Sequence, residues 1–226
     1  MDAVISFPKS GRTWLRVMLD QVGLPLEWTH AGAGHGNGRP ISKLDTSTAR
    51  KYGRILFLHR DPRDTAVSGY YQKLYRRDGY SGTISEFLRD PCHGLEKIIL
   101  YNQMWLELAS KRPQMMVASY EGLRADTETL LADIIAFFGA EVDQARIHQV
   151  VADSTFERMQ EKEKAGEYAS VYGKILSPAD PEQPDSFKVR KGVVGGYVDE
   201  LSADDIAYCD QTVERLNGLT GGDDHQ

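Results

Sequence analysis

The chain has 226 residues, of which 41% are hydrophobic, and its formal net charge is −6. This length and apolar content suit one folded domain with its own core, so neither a disordered chain nor a disulfide scaffold is indicated. The acidic balance argues against nonspecific nucleic-acid binding, although basic residues crowd one segment, 50–77. We therefore expect a single domain over residues 1–226, with a local anion site and no nucleic-acid partner.

The sequence gives no sign of export or of membrane insertion. No stretch approaches the length of a membrane span, and no basic segment followed by a long apolar run lies near Met1. The two cysteines, Cys92 and Cys209, are far apart and lack the spacing of metal ligands. This usage is typical of a reducing compartment, so we expect a cytoplasmic protein without stable membrane insertion.

Short apolar runs alternate with helical patterns in the first half of the chain. Residues 3–7 predict a buried strand, which leads through a loop at 8–13 into an amphipathic helix. Residues 54–59 predict a second strand, after which Asp61 is a candidate N-cap and Pro62 the first helical residue. This alternation predicts an α/β fold with a central parallel sheet flanked by crossover helices.

The second half adds one strand and several helices. Residues 115–119 predict the third strand. Helices are expected over 95–111, 130–138, 143–152 and 202–217. Residues 160–190 are polar, contain three prolines and show little periodicity, which is long for a connection within a compact domain. We predict a lid-like loop over about 160–190.

The loop from Pro8 to Thr13 has the features of a phosphate site. A loop that leaves a parallel strand and enters a helix collects backbone N–H groups at the positive end of the helix dipole, and Lys9 adds a full charge. It is not a Walker A loop, because that motif places two glycines before the lysine, whereas Lys9 precedes Gly11. The loop therefore disfavours an ordinary ATPase.

Six consecutive residues resemble the 5′-phosphosulfate loop K-S-G-x-T-W of the sulfotransferase family. They are Lys9, Ser10, Gly11, Arg12, Thr13 and Trp14. That family also holds a 3′-phosphate with an arginine at the end of the next strand and a serine on the following helix, and Arg60 and Ser68 occupy those places. The resemblance implies a P-loop NTPase-like sulfotransferase fold.

A basic run near the C-terminus continues the resemblance. Arg190, Lys191 and Gly192 are similar to the family's Arg-Lys-Gly run, which closes over the same 3′-phosphate. After Gly195 the similarity fades, because Gly-Tyr-Val at 196–198 replaces the usual Asp-Trp-Lys. The segment that mediates dimer contacts in many members is also missing, so the oligomeric state stays open.

Two shorter matches concern the adenine. Tyr120, at the end of the third predicted strand, resembles the family's adenine-contacting tyrosine. Thr155 and Phe156, with Met159, resemble its Ser/Thr-Phe-x-x-Met clamp. The matches follow the family's order over nearly the whole chain, and they imply a site for an adenine nucleotide.

The resemblance implies transfer of a sulfuryl group from 3′-phosphoadenosine 5′-phosphosulfate (PAPS) to a hydroxyl or amine of a small-molecule, lipid or saccharide acceptor, with 3′,5′-ADP as the product. Lys9 then meets the oxygen that bridges sulfur and the 5′-phosphate, where negative charge develops. No carboxylate cluster with metal-ligand spacing accompanies the loop, so we expect no metal.

The candidate general base is a histidine. His30 follows Thr29 and resembles the Thr-His pair that carries the catalytic histidine in cytosolic members of the family. His35 lies close by, between two glycines, and is the alternative. We expect His30 to be the base, because flanking glycines would hold His35 poorly.

Two other classes of protein stay open at this point. A nucleotide kinase on a related fold would need a Walker A loop and magnesium. A nucleotide-binding protein that has lost turnover would keep Lys9 and Arg60 and lack the base. The sequence does not identify the acceptor, although Trp28, Tyr71 and Tyr75 suggest an apolar wall.

Overall fold

A computed structural model describes residues 1–34, 40–76, 80–176, 180 and 184–220. Four parallel strands form the central sheet, in the order β2-β1-β3-β4. The strands are β1 (Asp2–Ile5), β2 (Leu26–Thr29), β3 (Ile55–His59) and β4 (Met115–Ser119).

Helices cover both faces of this sheet. They are α1 (Arg12–Gln21), α2 (Pro62–Arg76), α3 (Ile84–Arg89), α4 (Leu95–Ser110), α5 (Tyr120–Ala125), α6 (Thr127–Phe137), α7 (Gln144–Asp153), α8 (Phe156–Lys164), α9 (Ala169–Tyr172) and α10 (Ala203–Thr220). The helices expected over 95–111, 130–138, 143–152 and 202–217 are all present, with ends shifted by no more than three residues.

The core is divided by the sheet into two parts. Because successive side chains of a strand point to opposite faces, Ile5 and Phe57 pack with Trp105 of α4 on one face. Val4 packs with Leu15 of α1 on the other face. All five side chains are fully buried. A parallel sheet covered on both faces is the predicted α/β architecture, which is thereby confirmed.

The strand register places the ends of three strands side by side. Ile5 of β1 lies opposite Phe57 of β3, and His59 of β3 lies opposite Ser119 of β4. The loop after β1, the residues after β3 and the start of α5 therefore meet at one edge of the sheet. In open α/β sheets, this carboxyl edge is where ligands bind.

Strand β2 was not among the predicted strands. It pairs in parallel with β1, with Thr29 opposite Ile5, and its four residues are all half-buried at the edge of the sheet. Its short length and the charged Glu27, which accepts a hydrogen bond of 2.6 Å from the Tyr52 hydroxyl, hide the strand pattern. The pairing brings the end of β2, and therefore His30, to the same edge.

The segment predicted to be a lid-like loop is partly helical. Helix α8 continues to Lys164, α9 follows, and 3₁₀ turns occupy Gly173–Leu176 and Pro184–Ser186. Leu176 is fully buried and packs with Val17 of α1, so this part of the segment belongs to the packed body of the protein. That the segment opens and closes over the site stays a prediction. None of the helices in the described ranges is long and apolar enough to span a membrane.

Candidate functional site

A cavity of about 900 Å³ lies at the carboxyl edge of the sheet. The predicted site residues line it, with two exceptions described next. The lining residues are Lys9, Gly11, Arg12, Thr13, Trp14, His30, Arg60, Ser68, Tyr120, Phe156, Arg190, Lys191 and Gly192. His35, the alternative base, lies outside the described residues.

Ser10 and Thr155 support the cavity without lining it. Ser10 is 1% exposed and is buried beneath the loop, where its backbone N–H donates to the Phe7 carbonyl at 3.4 Å. The Thr155 hydroxyl caps α8 by accepting a hydrogen bond from the Arg158 backbone N–H. The Thr155 side chain thus fixes the start of the helix that presents Phe156 to the cavity, whereas Ser10 contributes through its backbone, and its buried Oγ has no hydrogen-bond partner among the described residues.

The loop between β1 and α1 has an unusual backbone. Gly11, the N-cap of α1, has a φ of 88°, and Lys9 has a φ of 76°, in the left-handed region that ordinary residues avoid. A side chain at position 11 would collide with the ring of Tyr120, so glycine is required there. A non-glycine residue such as Lys9 in this region costs about 1–2 kcal/mol. Such strain is concentrated at functional sites, where it directs groups toward a ligand.

Arg60 follows β3 and enters the cavity wall. Its Nη2 donates to the Val193 carbonyl at 2.8 Å and lies 3.3 Å from Oδ2 of Asp64. Its guanidinium carbon lies 4.4 Å from the centre of the Tyr120 ring. The Nε of Arg60 is buried and has no hydrogen-bond partner among the described residues. Arg60 therefore holds the wall together and keeps an unused donor.

Residues 188–197, which we name the strap, form part of the cavity wall and include Arg190 and Lys191. Two buried carboxylates hold its ends. Glu163 of α8 accepts the backbone N–H groups of Lys188 and Val189, at 2.7 and 2.9 Å. Asp64 of α2 accepts the backbone N–H groups of Gly195 and Tyr197, at 2.8 and 3.0 Å. Because Glu163 and Asp64 are 0% and 4% exposed, these charge-assisted bonds are shielded from water.

A third carboxylate, Glu200, holds the basic side chains of the strap. Its Oε1 accepts from Arg190 at 2.9 Å and from Lys191, and its Oε2 accepts from the Tyr71 hydroxyl at 2.6 Å. Burial alone would raise the pKa of Glu200, but these hydrogen bonds outweigh burial and lower it to about 2. Sequence reasoning missed Glu163 and Glu200, because each is an ordinary polar residue whose partners are identified only by the fold.

Aromatic rings form a second group around the cavity. Tyr120 donates from its hydroxyl to the Gly192 carbonyl at 2.9 Å, and its ring meets the Trp14 ring edge-on at a centroid distance of 5.9 Å. Burial raises the pKa of Tyr120, so its hydroxyl stays a donor. A side chain at Gly192 would collide with Phe156, so the strap backbone lies directly against that ring. These faces are suited to a planar, apolar group.

His30 lies at the end of β2, in the same cavity as Lys9. Its Nδ1 is 2.8 Å from the Ser6 carbonyl oxygen. Because a carbonyl can only accept, this contact places a proton on Nδ1, and in the neutral imidazole Nε2 then carries the lone pair. The Ser6 contact thus fixes both the orientation and the tautomer of the ring.

The suggested aromatic wall is not part of this cavity. Trp28 lies under the guanidinium of Arg16, and Tyr71 stacks with Tyr75 outside the lining residues. Within the described ranges, no group of three or more histidine, cysteine or acidic residues could hold a metal ion. That the reaction needs no metal stays a prediction.

We expect Glu200→Gln to destabilise the ligand-free protein in a pH-dependent way. On folding, the pKa of Glu200 falls from its ordinary 4.5 to about 2. The ionised Glu200 therefore adds to the free energy of unfolding at pH values above 4.5, and this addition is lost as the pH falls toward 2. In urea unfolding, the variant should be less stable than the wild type at about pH 7, and this difference should shrink between about pH 5 and pH 3. The exposed Glu214, replaced in the same way, is the control. A difference that does not change with pH would contradict this role.

Comparison with known proteins identifies the family. Residues 39–221 match the family model of the sulfotransferase domain. Sulfotransferase 2A1 of Homo sapiens is 22% identical over 230 residues, which cover 86% of this chain and 76% of that protein. The 3-beta-hydroxysteroid sulfotransferase of Cavia porcellus is 27% identical over 168 residues, which cover 70% and 54%.

Solved structures with the same fold include mouse sulfotransferase SULT7A1 complexed with PAP. Its TM-score is 0.67 at 20% sequence identity, and the match covers 93% of this chain and 82% of the mouse chain. Retinol dehydratase in complex with androsterone and PAP has a TM-score of 0.65 at 14% identity, over 95% and 79%. The family match begins after the Lys9 loop, so the assignment of that loop depends on its own residues and geometry. Because the match covers most of the sequence, the chain belongs to the sulfotransferase family.

Proposed function

We propose that this protein transfers a sulfuryl group from PAPS to a hydroxyl or amine of a small acceptor. A phosphate loop, other cationic residues and a histidine all line one cavity, and this arrangement is the main support for the proposal. The structures of two members of the fold contain PAP, which is 3′,5′-ADP, the product that PAPS would leave. These PAP complexes are the reason that we propose PAPS as the donor, because family membership alone does not identify it.

We assign two anion sites to the cavity. The loop amides at the start of α1, with Lys9, suit the 5′-phosphosulfate. Arg60, Ser68 and Arg190 also line the cavity and suit the 3′-phosphate, for which the buried Nε of Arg60 is a spare donor. Tyr120 and Phe156, the aromatic residues expected to contact the adenine, both line the cavity and suit that base.

Sulfuryl transfer needs an in-line arrangement and stabilisation of the developing charge. The acceptor oxygen or nitrogen forms a bond to sulfur as the bond from sulfur to the 5′-phosphate oxygen breaks. Lys9 stabilises the charge that grows on that leaving oxygen. The Nε2 of His30 takes the proton of the acceptor, while the bond from Nδ1 to the Ser6 carbonyl keeps the ring in the required tautomer.

The acceptor is proposed only as a class. The names of two similar proteins refer to a hydroxysteroid and to retinol, which describe the ligands of those proteins. We propose a small-molecule, lipid or saccharide acceptor for this chain and a cytoplasmic location. A nucleotide kinase is disfavoured, because the loop lacks the Walker A pattern and the family match is to sulfotransferases.

The donor assignment predicts that 3′,5′-ADP stabilises the fold much more than 5′-AMP does, because only the former carries the phosphate that Arg60 would bind. Arg60→Ala should weaken binding of 3′,5′-ADP by about 1.5–3 kcal/mol, the usual loss for a charge-assisted contact. Thermal unfolding with each nucleotide measures the first effect, and calorimetric titration measures the affinities. Arg89→Ala is the matched control, because Arg89 pairs with Asp205 and lies over the Tyr208 ring, and none of these three residues lines the cavity. Equal affinities of the wild type for the two nucleotides would exclude a 3′-phosphate site.

Lys9→Met should reduce kcat far more than it weakens nucleotide binding, because the interaction strengthens only as charge develops on the leaving oxygen. Steady-state kinetics with varied PAPS measure kcat and KM separately. A raised KM for PAPS with an unchanged kcat would show instead that Lys9 contributes equally to the ground state and the transition state.

His30→Ala should leave a folded protein that binds 3′,5′-ADP normally and loses about 10²- to 10⁴-fold in kcat, the usual share of a general base. His148→Ala is the control, since that imidazole is 73% exposed and contacts Glu128 far from the cavity lining. His35→Ala should cost much less than His30→Ala. Inactivity of the His35 variant with normal turnover of the His30 variant would reverse the assignment.

A further inference from the structure

Arg12, one of the cations that line the cavity, has a buried donor atom without a hydrogen-bond partner among the described residues. This atom is its Nη1, and Arg12 is the first residue of α1. By contrast, Arg16, one turn further along the same helix, pairs with Asp20, and Arg60 pairs with Asp64. Within the described ranges, Arg12 is therefore a charged group to which no carboxylate is paired.

This arrangement is unfavourable for the free protein. A buried charge without a partner loses hydration and gains no attraction in return. Burial accordingly lowers the pKa of Arg12 to about 10, although the guanidinium stays charged at neutral pH. A neutral side chain of similar size would suit the fold better, so the structure alone does not account for an arginine at this position.

The position of Arg12 assigns it to one side of the cavity. Residues 12 and 14 are about 200° apart around a helix, so Arg12 and Trp14 point in nearly opposite directions. Trp14 faces Tyr120, near the strap. The charge of Arg12 instead acts on Tyr101, whose hydroxyl donates to the Ala31 carbonyl at 2.9 Å. Ala31 follows His30, so Arg12 lies on the side of the proposed base.

We infer that Arg12 binds an anionic group on the acceptor, such as a carboxylate or a phosphate or sulfate ester, and thereby selects acidic acceptors. The inference rests on the proposed function, in which His30 marks the acceptor side of the cavity. An acidic acceptor supplies the counterion that Arg12 lacks. A neutral acceptor leaves the buried Nη1 of Arg12 unpaired, which raises the free energy of that complex and disfavours it.

Benzoate and benzamide test the inference as probes of equal shape and different charge. Their binding is measured by calorimetric titration of the protein saturated with 3′,5′-ADP. The wild type should bind benzoate at least about tenfold more tightly than benzamide, as expected for one charge-assisted contact. Arg12→Gln should abolish this preference, whereas Arg16→Gln should retain it. Absence of a preference in the wild type, or its persistence in Arg12→Gln, would overturn the inference.

Two further measurements distinguish the alternatives. If Lys9→Met abolishes the preference for benzoate and Arg12→Gln does not, the anion occupies the sulfuryl position and Arg12 does not select the acceptor. If Arg12→Gln weakens binding of 3′,5′-ADP itself, Arg12 belongs to the nucleotide site, which also overturns the inference. A wild type that does not prefer 3′,5′-ADP over 5′-AMP is the separate failure of the proposed function.

The stability of the ligand-free variant excludes a purely structural role. Because Arg12→Gln removes an unpaired buried charge, the variant should melt at the same temperature as the wild type or higher. A clearly lower melting temperature would show that the guanidinium stabilises the fold, and would contradict the view that its partner comes with the acceptor.

Discussion

The parallel pairing of β1 with β3 is the constraint on which the site depends. Both strands are buried, and the register that sets Ile5 opposite Phe57 makes them leave the sheet at the same edge. The loop that carries Lys9 and the cation at Arg60 therefore face one cavity. Because backbone hydrogen bonds hold this register, the spacing between the two proposed anion sites is set by the sheet, and mobile loops have little influence on it.

Electrostatic balance explains how so many cations can share one wall. Asp64 and Glu163 fix the strap through its backbone, and Glu200 pairs with Arg190. These acidic groups offset the repulsion between neighbouring positive charges in the ligand-free protein. In the proposed site, a phosphate at Arg190 would compete with Glu200, and nucleotide binding would then exchange one anion for another at the strap. Arg12 has no such carboxylate partner in the part of the chain that the structure describes, whereas Arg190 and Lys191 share Glu200.

Much of this arrangement could be predicted from the sequence, because it depends on local patterns. The apolar runs that became β1, β3 and β4 and the loop around Gly11 carry their signals in a few adjacent residues. Strand β2 was missed because four residues with one charge show no periodicity. The contacts of Glu163 and Glu200 could not be predicted, since they join segments that only the tertiary fold brings together. The polar composition of 160–190 also concealed helical structure, because the buried side of that segment is formed by scattered residues such as Leu176.

The central claim is that this protein transfers a sulfuryl group from PAPS. The most direct measurement incubates the wild-type protein with PAPS labelled in its sulfuryl group and a pool of phenols, lipids, sugars and amines that includes acidic members. The account predicts a labelled acceptor together with an equal amount of 3′,5′-ADP. Normal binding of 3′,5′-ADP with no labelled product from any acceptor would contradict it, and would indicate a nucleotide-binding protein that has lost turnover.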